Sequence, residues 1–155
     1  MDASELYDPE FRKLIKSKKP TIIIPVGSLE QHGAHLPITT DSDIVTEIAS
    51  RLAKKCGFIV FPTLSYGVSF EHEPLSNISI QSVDYRHFLN GILHSLWKMS
   101  GNLNSVIILN GHHGNLEALD TYLNKYFDPS DGEPKCYSYW HFMKHEFDHA
   151  GFVET

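Results

Sequence analysis

Between Pro25 and Asp41 the chain reads Pro-Val-Gly-Ser-Leu-Glu-Gln-His-Gly-Ala-His-Leu-Pro-Ile-Thr-Thr-Asp, placing Glu30, His32, His35 and Asp41 in one short stretch. That stretch leaves directly from the apolar run Thr21-Ile22-Ile23-Ile24. Carboxylates and imidazoles clustered at the end of a buried strand repel one another or stay solvated unless something holds them. A divalent cation is the usual solution. Glu30 and His32, two positions apart, point the same way on an extended backbone. Asp41 opens the following helix and can reach the same point. A second cluster, Asn110-Gly111-His112-His113-Gly114-Asn115, ends another apolar run, and His112 would arrive from that neighbouring strand. Mixed carboxylate and imidazole donors suit zinc, manganese or iron rather than calcium or copper(I). An aspartate offering both oxygens can bridge two ions about 3.5–4 Å apart, the arrangement by which two-metal hydrolases activate water. Each ligating histidine also needs an acceptor for its other nitrogen. Asn110, Asn115 and backbone carbonyls are the candidates.

The elements that must carry these residues follow from hydrophobic periodicity. Residues 6 to 18 predict a short helix, with Asp8 as its cap, Pro9 in the first turn and lysines at the carboxyl end. Thr21 to Pro25 is a β-branched run of the kind buried on both faces of a parallel sheet. Beyond the ligand loop, Ile44, Ile48, Leu52 and Ala53 repeat at helical spacing, and Gly57 follows as a natural stop. Phe58 to Phe61 is a second short strand. The segment from Ser65 to Asn77 is long, polar and glycine-bearing, and loops of that length in a compact domain tend to be functional. Ser82 then caps a helix over 83 to 99, with Phe88, Leu89, Ile92, Leu93 and Leu96 on its apolar face. Ser105 to Leu109 is the third strand. A helix over 115 to 126 follows, then a turn over 128 to 134 and a fourth strand candidate from Lys135 to Trp140. Strands alternating with helices imply an α/β fold, a three-layer α/β/α sandwich with a mainly parallel sheet. In such sheets ligand sites gather at the carboxyl ends of the strands. The motifs at 26–41, 65–77 and 110–115 all follow strand ends, which predicts one composite site.

Bulk properties narrow the function classes. The 155 residues suit a single domain, with 41% hydrophobic and 21% charged residues as in soluble globular chains. A net charge of −6 argues against a sequence-independent nucleic-acid binder. No apolar run approaches the length of a bilayer span, and the amino-terminal residues lack the basic and apolar start of a signal peptide. Cys56 and Cys136 have no metal-type spacing, so reduced thiols in a cytoplasmic protein are the expectation.

The stretch Ser28-Leu29-Glu30-Gln31-His32-Gly33-Ala34-His35-Leu36-Pro37 with Thr40-Asp41, followed by Asn110-Gly111-His112-His113-Gly114-Asn115, resembles the creatininase family. The resemblance runs from about residue 20 to the last residue. It implies a metal-dependent amidohydrolase of α/β sandwich fold, commonly assembled as a homo-oligomer, a hexamer. Glu30 and His32 would bind different metals of a binuclear centre, Asp41 would bridge them, and His112 would supply a further ligand. The 66–72 segment falls where the family places a loop beside the site. His149-Ala150-Gly151 with Glu154-Thr155 is similar to another family motif, whose glutamate lies near the metals. The chain departs from creatininase proper at His113-Gly114, where that enzyme has a Tyr-Glu pair that includes a carboxylate metal ligand. Other branches of the family carry glycine there, among them archaeal deformylases acting on a formylaminopyrimidine in flavin biosynthesis and peptide-trimming enzymes of a redox-cofactor pathway. Family chains usually continue past the last motif, so residues 1–155 are expected to form one creatininase-like domain without the family's C-terminal portion.

The resulting expectation is hydrolysis of a small cyclic or linear amide by metal-activated water, with no nucleic-acid or membrane partner. His72 or the C-terminal Glu154 would protonate the leaving nitrogen. His72 as a solvated loop histidine is the competing reading. His35 and His113, with His149, are the candidate substrate contacts, although His35 could instead pack under Leu36 and Pro37. His87 and His94 read as surface or helix-packing residues, and the i, i+4 pair His141 and His145 as an exposed face. No serine or cysteine nucleophile motif is visible. A non-catalytic metal-binding or assembly homologue is the alternative from a different class.

Overall fold

In a computed structural model of the chain, residues 1–72, 74–100, 103–125 and 134–142 are described, without the side chains of 17, 18, 72, 100 and 121–125. The order of elements is α1 (Asp8–Lys18), β1 (Thr21–Val26), α2 (Thr40–Cys56), β2 (Ile59–Val60), α3 (Ser82–Ser100), β3 (Ser105–Asn110), α4 (Leu116–Lys125) and β4 (Lys135–Ser138). Short 3-10 turns cover Phe70–His72, His113–Asn115 and Tyr139–Phe142. The four strands form one sheet in the order β2-β1-β3-β4, every neighbouring pair parallel. Parallel strands need crossovers, and α2, α3 and α4 supply them.

All six residues of β1 are buried, as a strand covered on both faces must be. Its alternation divides the core. Ile22, Ile24 and Val26 join Val106 and Ile108 of β3 against Ile15 of α1, Tyr85, Leu89, Leu93 and Leu96 of α3, and Ala118 and Leu119 of α4. Ile23 and Leu109 face the other way, onto Val45, Ala49 and Ala53 of α2. Helices thus cover both faces, the expected α/β/α layering. Because α2 leaves β1 on one face and α4 leaves β3 on the other, the chain diverges above two adjacent strands. A crevice at their carboxyl ends is the consequence.

Four sequence-based expectations change. Asp8 lies inside the first turn of α1 and pairs with Arg12 at 2.9 Å, while Glu10 accepts the Tyr7 backbone N–H at 3.1 Å. The buried face of α2 is Ser42, Val45, Ala49 and Ala53 rather than a row including Ile44 and Leu52, which are 40% and 37% exposed. Small side chains let this helix lie close on the sheet, and that contact turns the larger residues outward. On α3 Tyr85 replaces Phe88, which is 51% exposed, and completes the i, i+4, i+8 row with Leu89 and Leu93. The last strand stops at Ser138, and Tyr139 and Trp140 belong to a 3-10 turn. The turn expected at 128–134 lies almost wholly outside the described residues, as does His145. Among the described residues no helix is long and apolar enough to cross a membrane.

Truncating Ile108, fully buried between β1 and the α3–α4 layer, should cost about 2–5 kcal/mol as Ile108→Ala. Ile44→Ala should stay within about 0.5 kcal/mol. Urea unfolding of the two variants checks the assignment of the α2 face, and equal losses would contradict it.

Candidate metal centre

Two strand ends and one long loop build the site. Backbone bonds fix the approach: Gly27 N–H donates to Leu64 O, Leu64 N–H to Pro25 O, and Gly111 N–H to Val26 O. These continue the sheet beyond the strands and bring the 65–77 loop beside β1. Gly27 is required by contact rather than by dihedral angle, since a Cβ there would overlap the Ser42 backbone at the start of α2. Of the four glycines in the two motifs only Gly33 has a positive φ, 69°. Ser42 Oγ then donates to Ser28 O at 3.0 Å, closing the first ligand loop onto α2.

Asp41 sits in the first turn of α2, whose N-cap is Thr39, so its carboxylate lies at the positive end of the helix dipole. Both of its oxygens face imidazoles. Oδ1 is 3.1 Å from His32 Nε2, and Oδ2 is 2.8 Å from His112 Nδ1 while accepting the Ser28 hydroxyl at 2.9 Å. His112 Nδ1 also lies 3.2 Å from Glu30 Oε1. Glu30 and His112 are nearly inaccessible, at 3% and 2% exposure. The sequence-predicted set Glu30, His32, Asp41 and His112 is therefore brought together from β1, α2 and β3. Donor atoms of Glu30, His32 and Asp41 lie within 4.8 Å of one another, and so do those of Glu30, Glu71 and His112. Oxygen and imidazole donors that converge in a buried place, with excess negative charge, fit a divalent cation of the zinc, manganese or iron class.

The back nitrogens of both histidines meet backbone carbonyls, Val68 O for His112 Nε2 at 2.8 Å and Glu30 O for His32 Nδ1 at 3.2 Å. Asn110 and Asn115, the alternative acceptors, serve the loops instead. Asn115 Nδ2 donates to Gly27 O, its Oδ1 accepts from Val68 N–H, and Asn110 Oδ1 accepts from His112 N–H. One buried side chain thus ties together the ends of β1 and β3 and the 65–77 loop. Sequence reasoning assigned no role to Ser28 or Val68, and it placed Glu71 beside the site without a function. Their signal was only membership in polar segments after strand ends.

Burial alone would depress the His112 imidazole. Hydrogen bonds to Asp41 and Glu30, the charge of Glu30 and the Val68 carbonyl outweigh it and push the group up to about 10. Burial would raise the Asp41 carboxyl, but His112, Ser28 and His32 together hold it below the ordinary carboxylate range. Without a metal, then, His112 is the cation between two carboxylates. Burial, followed by the charge of Asp120, pushes the Cys136 thiol up to about 12, which removes it as a nucleophile at neutral pH.

The other predicted residues that the structure describes, His35 and His113, lie at the surface. His35 is exposed on the ligand loop, as are Leu36 and Pro37, so it does not pack beneath them. His113 is exposed with its ring 6.3 Å from that of Trp140. His141 is exposed, as expected. His72 closes the 3-10 turn Phe70–His72, its side chain outside the description; His149 and Glu154 lie outside the described residues.

Two results should follow. In chelator, the raised His112 contributes stability that is complete below its unfolded value of about 6.5. That contribution is lost as pH rises toward 10. The urea midpoint of metal-free protein should accordingly fall between pH 6.5 and 10 by more than that of His112→Asn, and parallel profiles would contradict the assignment. Asn115→Ala should cost about 1–3 kcal/mol by orphaning Val68 N–H and Gly27 O, read in the same assay at pH 7.

Residues 4–155 match the family described as creatininase, creatinine amidohydrolase. The chain is 35% identical over 112 residues to a mycofactocin precursor peptide peptidase from Mycolicibacterium smegmatis, covering 68% of this chain and 44% of that protein. It is 27% identical over 153 residues to the creatinine amidohydrolase of Pseudomonas putida, covering 90% and 58%. The solved structure described as "Creatininase Mn" superposes with a TM-score of 0.78 at 26% identity, over 92% of this chain and 60% of that one. The chain spans about half the length of the relatives it matches. With a family match running through all but its first three residues, the chain belongs to the creatininase family.

Proposed function

We propose that the protein is a metal-dependent amidohydrolase that cleaves the C–N bond of a small cyclic or linear amide with water. The observation that carries this reading is the meeting of Glu30, His32, Asp41 and His112 above adjacent strand ends, in a cluster whose carboxylates outnumber its cations. Glu30, His32, Asp41 and His112 would hold a binuclear divalent centre, with Asp41 placed between the two histidines and offering one oxygen to each. A divalent ion bound there lowers the pKa of water toward neutrality and polarises an amide carbonyl.

The protein's own groups do the rest. The carbonyls of Val68 and Glu30 hold the back nitrogens of His112 and His32, fixing which nitrogen of each ring faces Asp41. Ser28 holds Asp41 Oδ2 from the other side. On this reading His72 or Glu154 delivers the proton to the departing nitrogen, and His35, His113 and His149 meet the substrate at the rim. Homo-oligomeric assembly, hexameric by the family resemblance, belongs to the same proposal.

Gly114 favours one refinement. No side chain fits there, because a Cβ would collide with Val68 O, Glu71 Oε1 and His112 Nε2. The glycine-bearing branches noted above include the formylaminopyrimidine deformylases, so a formamide is the second substrate class to test.

Metal uptake must displace the His112 proton, so binding at pH 7 should release about one proton. Calorimetry in buffers of different ionisation enthalpy reads this directly, and buffer-independent heats would contradict it. His112→Ala should lose metal and bring turnover on an amide and formamide panel to background. Full metal occupancy with unchanged activity in that variant, or bound metal with no turnover of any substrate by the parent protein, would defeat the proposal.

A further inference from the structure

The outer face of α3 carries residues that neither the core nor the metal centre uses. Tyr85, Leu89, Leu93 and Leu96 turn inward to the sheet. Opposite them Asp84, His87, Gly91, Ser95 and Lys98 follow one another at three or four positions and form one exposed stripe. Ser95 Oγ donates to Gly91 O at 2.8 Å, so its hydroxyl is turned back onto its own helix. Apolar side chains flank the stripe. Val83, Phe88 and Met99 are each about half exposed. A groove of about 630 Å³ lies between Phe61 and the Phe88 and Met99 side of the helix, lined also by Ile92 and Leu96. Contiguous exposed apolar side chains rimmed by charged ones mark an interaction site.

Gly91 indicates what can cover this face. In a helix interior glycine is the least favourable residue after proline. Its φ here is not positive, and a Cβ built on it would meet no other atom within 4 Å. Nothing inside the chain therefore requires a residue without a side chain at this point. A second helix crossing there would use the gap, because the side chains at the contact set the distance between two helix axes. The charges say which helix. Asp84 and Lys98 stand seven positions before and after Gly91, and Val83 and Met99 stand eight positions before and after it. Laid antiparallel on a copy of itself with Gly91 at the crossing, α3 sets Asp84 against Lys98 of the other copy, and Val83 against Met99, at both ends. Phe88 then comes level with His94 and Ser95 of the other copy, beside the apolar groove. A parallel pairing would oppose Asp84 to Asp84. Acidic residues in the first turn and basic ones in the last also complement the helix dipole, and the same polarity favours the antiparallel arrangement.

We infer that a second copy of this chain docks on the outer face of α3, in a two-fold antiparallel pairing of the helices centred on Gly91. A two-fold contact uses the same patch on both copies, so a face whose ends complement each other about its own midpoint is what it needs. The inference rests on the homo-oligomeric part of the reading proposed above and names the surface that part leaves open.

The test is sedimentation velocity of the whole chain over a range of concentrations. The parent should associate reversibly, to a dimer or a larger assembly. Gly91→Gln places a helix-favouring but bulky side chain at the crossing and should raise the dissociation constant by at least roughly tenfold. Its urea unfolding at a concentration where both proteins are monomeric should match or exceed the parent's, which separates loss of the contact from loss of the fold. Asp84→Lys and Lys98→Asp should each weaken association, and the two together should restore it, because the swap returns opposite charges across the two-fold. A Gly91→Gln variant that associates as tightly as the parent, or a double variant weaker than both single ones, would overturn the α3 face and leave assembly through another surface standing. A parent that stays monomeric at its highest soluble concentration would overturn both, with the hydrolase reading untouched.

Discussion

The arrangement depends on a charge imbalance that only a cation can relieve. Glu30 and Asp41 converge on one imidazole nitrogen, Glu71 approaches the other, and His32 closes the far side of Asp41. Inside a protein such carboxylates cannot stay ionised side by side without a positive partner. In the metal-free protein that partner is the His112 proton, held well above its ordinary range by the groups around it. The cluster is thus organised around a position for positive charge, whichever cation fills it.

The fold serves that position by controlling distances rather than by adding groups. β1 and β3 run parallel and adjacent, in register from Thr21–Ser105 to Val26–Asn110, so their ends stop at the same level. Their onward chains go to opposite faces, and the ligand loops are left facing each other across the gap. Gly27 brings the first loop against α2, whose positive end lies behind Asp41. Asn115 reaches across to β1 and to the 65–77 loop, so one buried side chain links the three segments. Such links let donors drawn from well-separated parts of the chain hold one geometry.

Legibility in the sequence followed the physical origin of each feature. β1 and β3 were readable because strands buried on both faces must be continuously apolar, and Ile22-Ile23-Ile24 and Val106-Ile107-Ile108 say so directly. The cluster of Glu30, His32, Asp41 and His112 was readable because such residue types are costly to bring together without a function. The buried face of α2 was not. Periodicity weights Ile44 and Leu52 by hydrophobicity, whereas the close helix–sheet contact selects the small Ser42, Ala49 and Ala53. Nor could the sequence say what Glu71 touches: the family resemblance sets its segment beside the site, but no periodic pattern orders the chain between β2 and α3. Its position comes from long-range bonds such as Val68 N–H to Asn115, and a single chain read in order carries no trace of these.

The missing carboxylate at His113-Gly114 takes a different meaning in this light. Read along the chain, glycine at 114 marks the loss of a donor relative to creatininase proper. Seen in space, that glycine is the condition for another carboxylate to approach, because any side chain there would exclude Glu71.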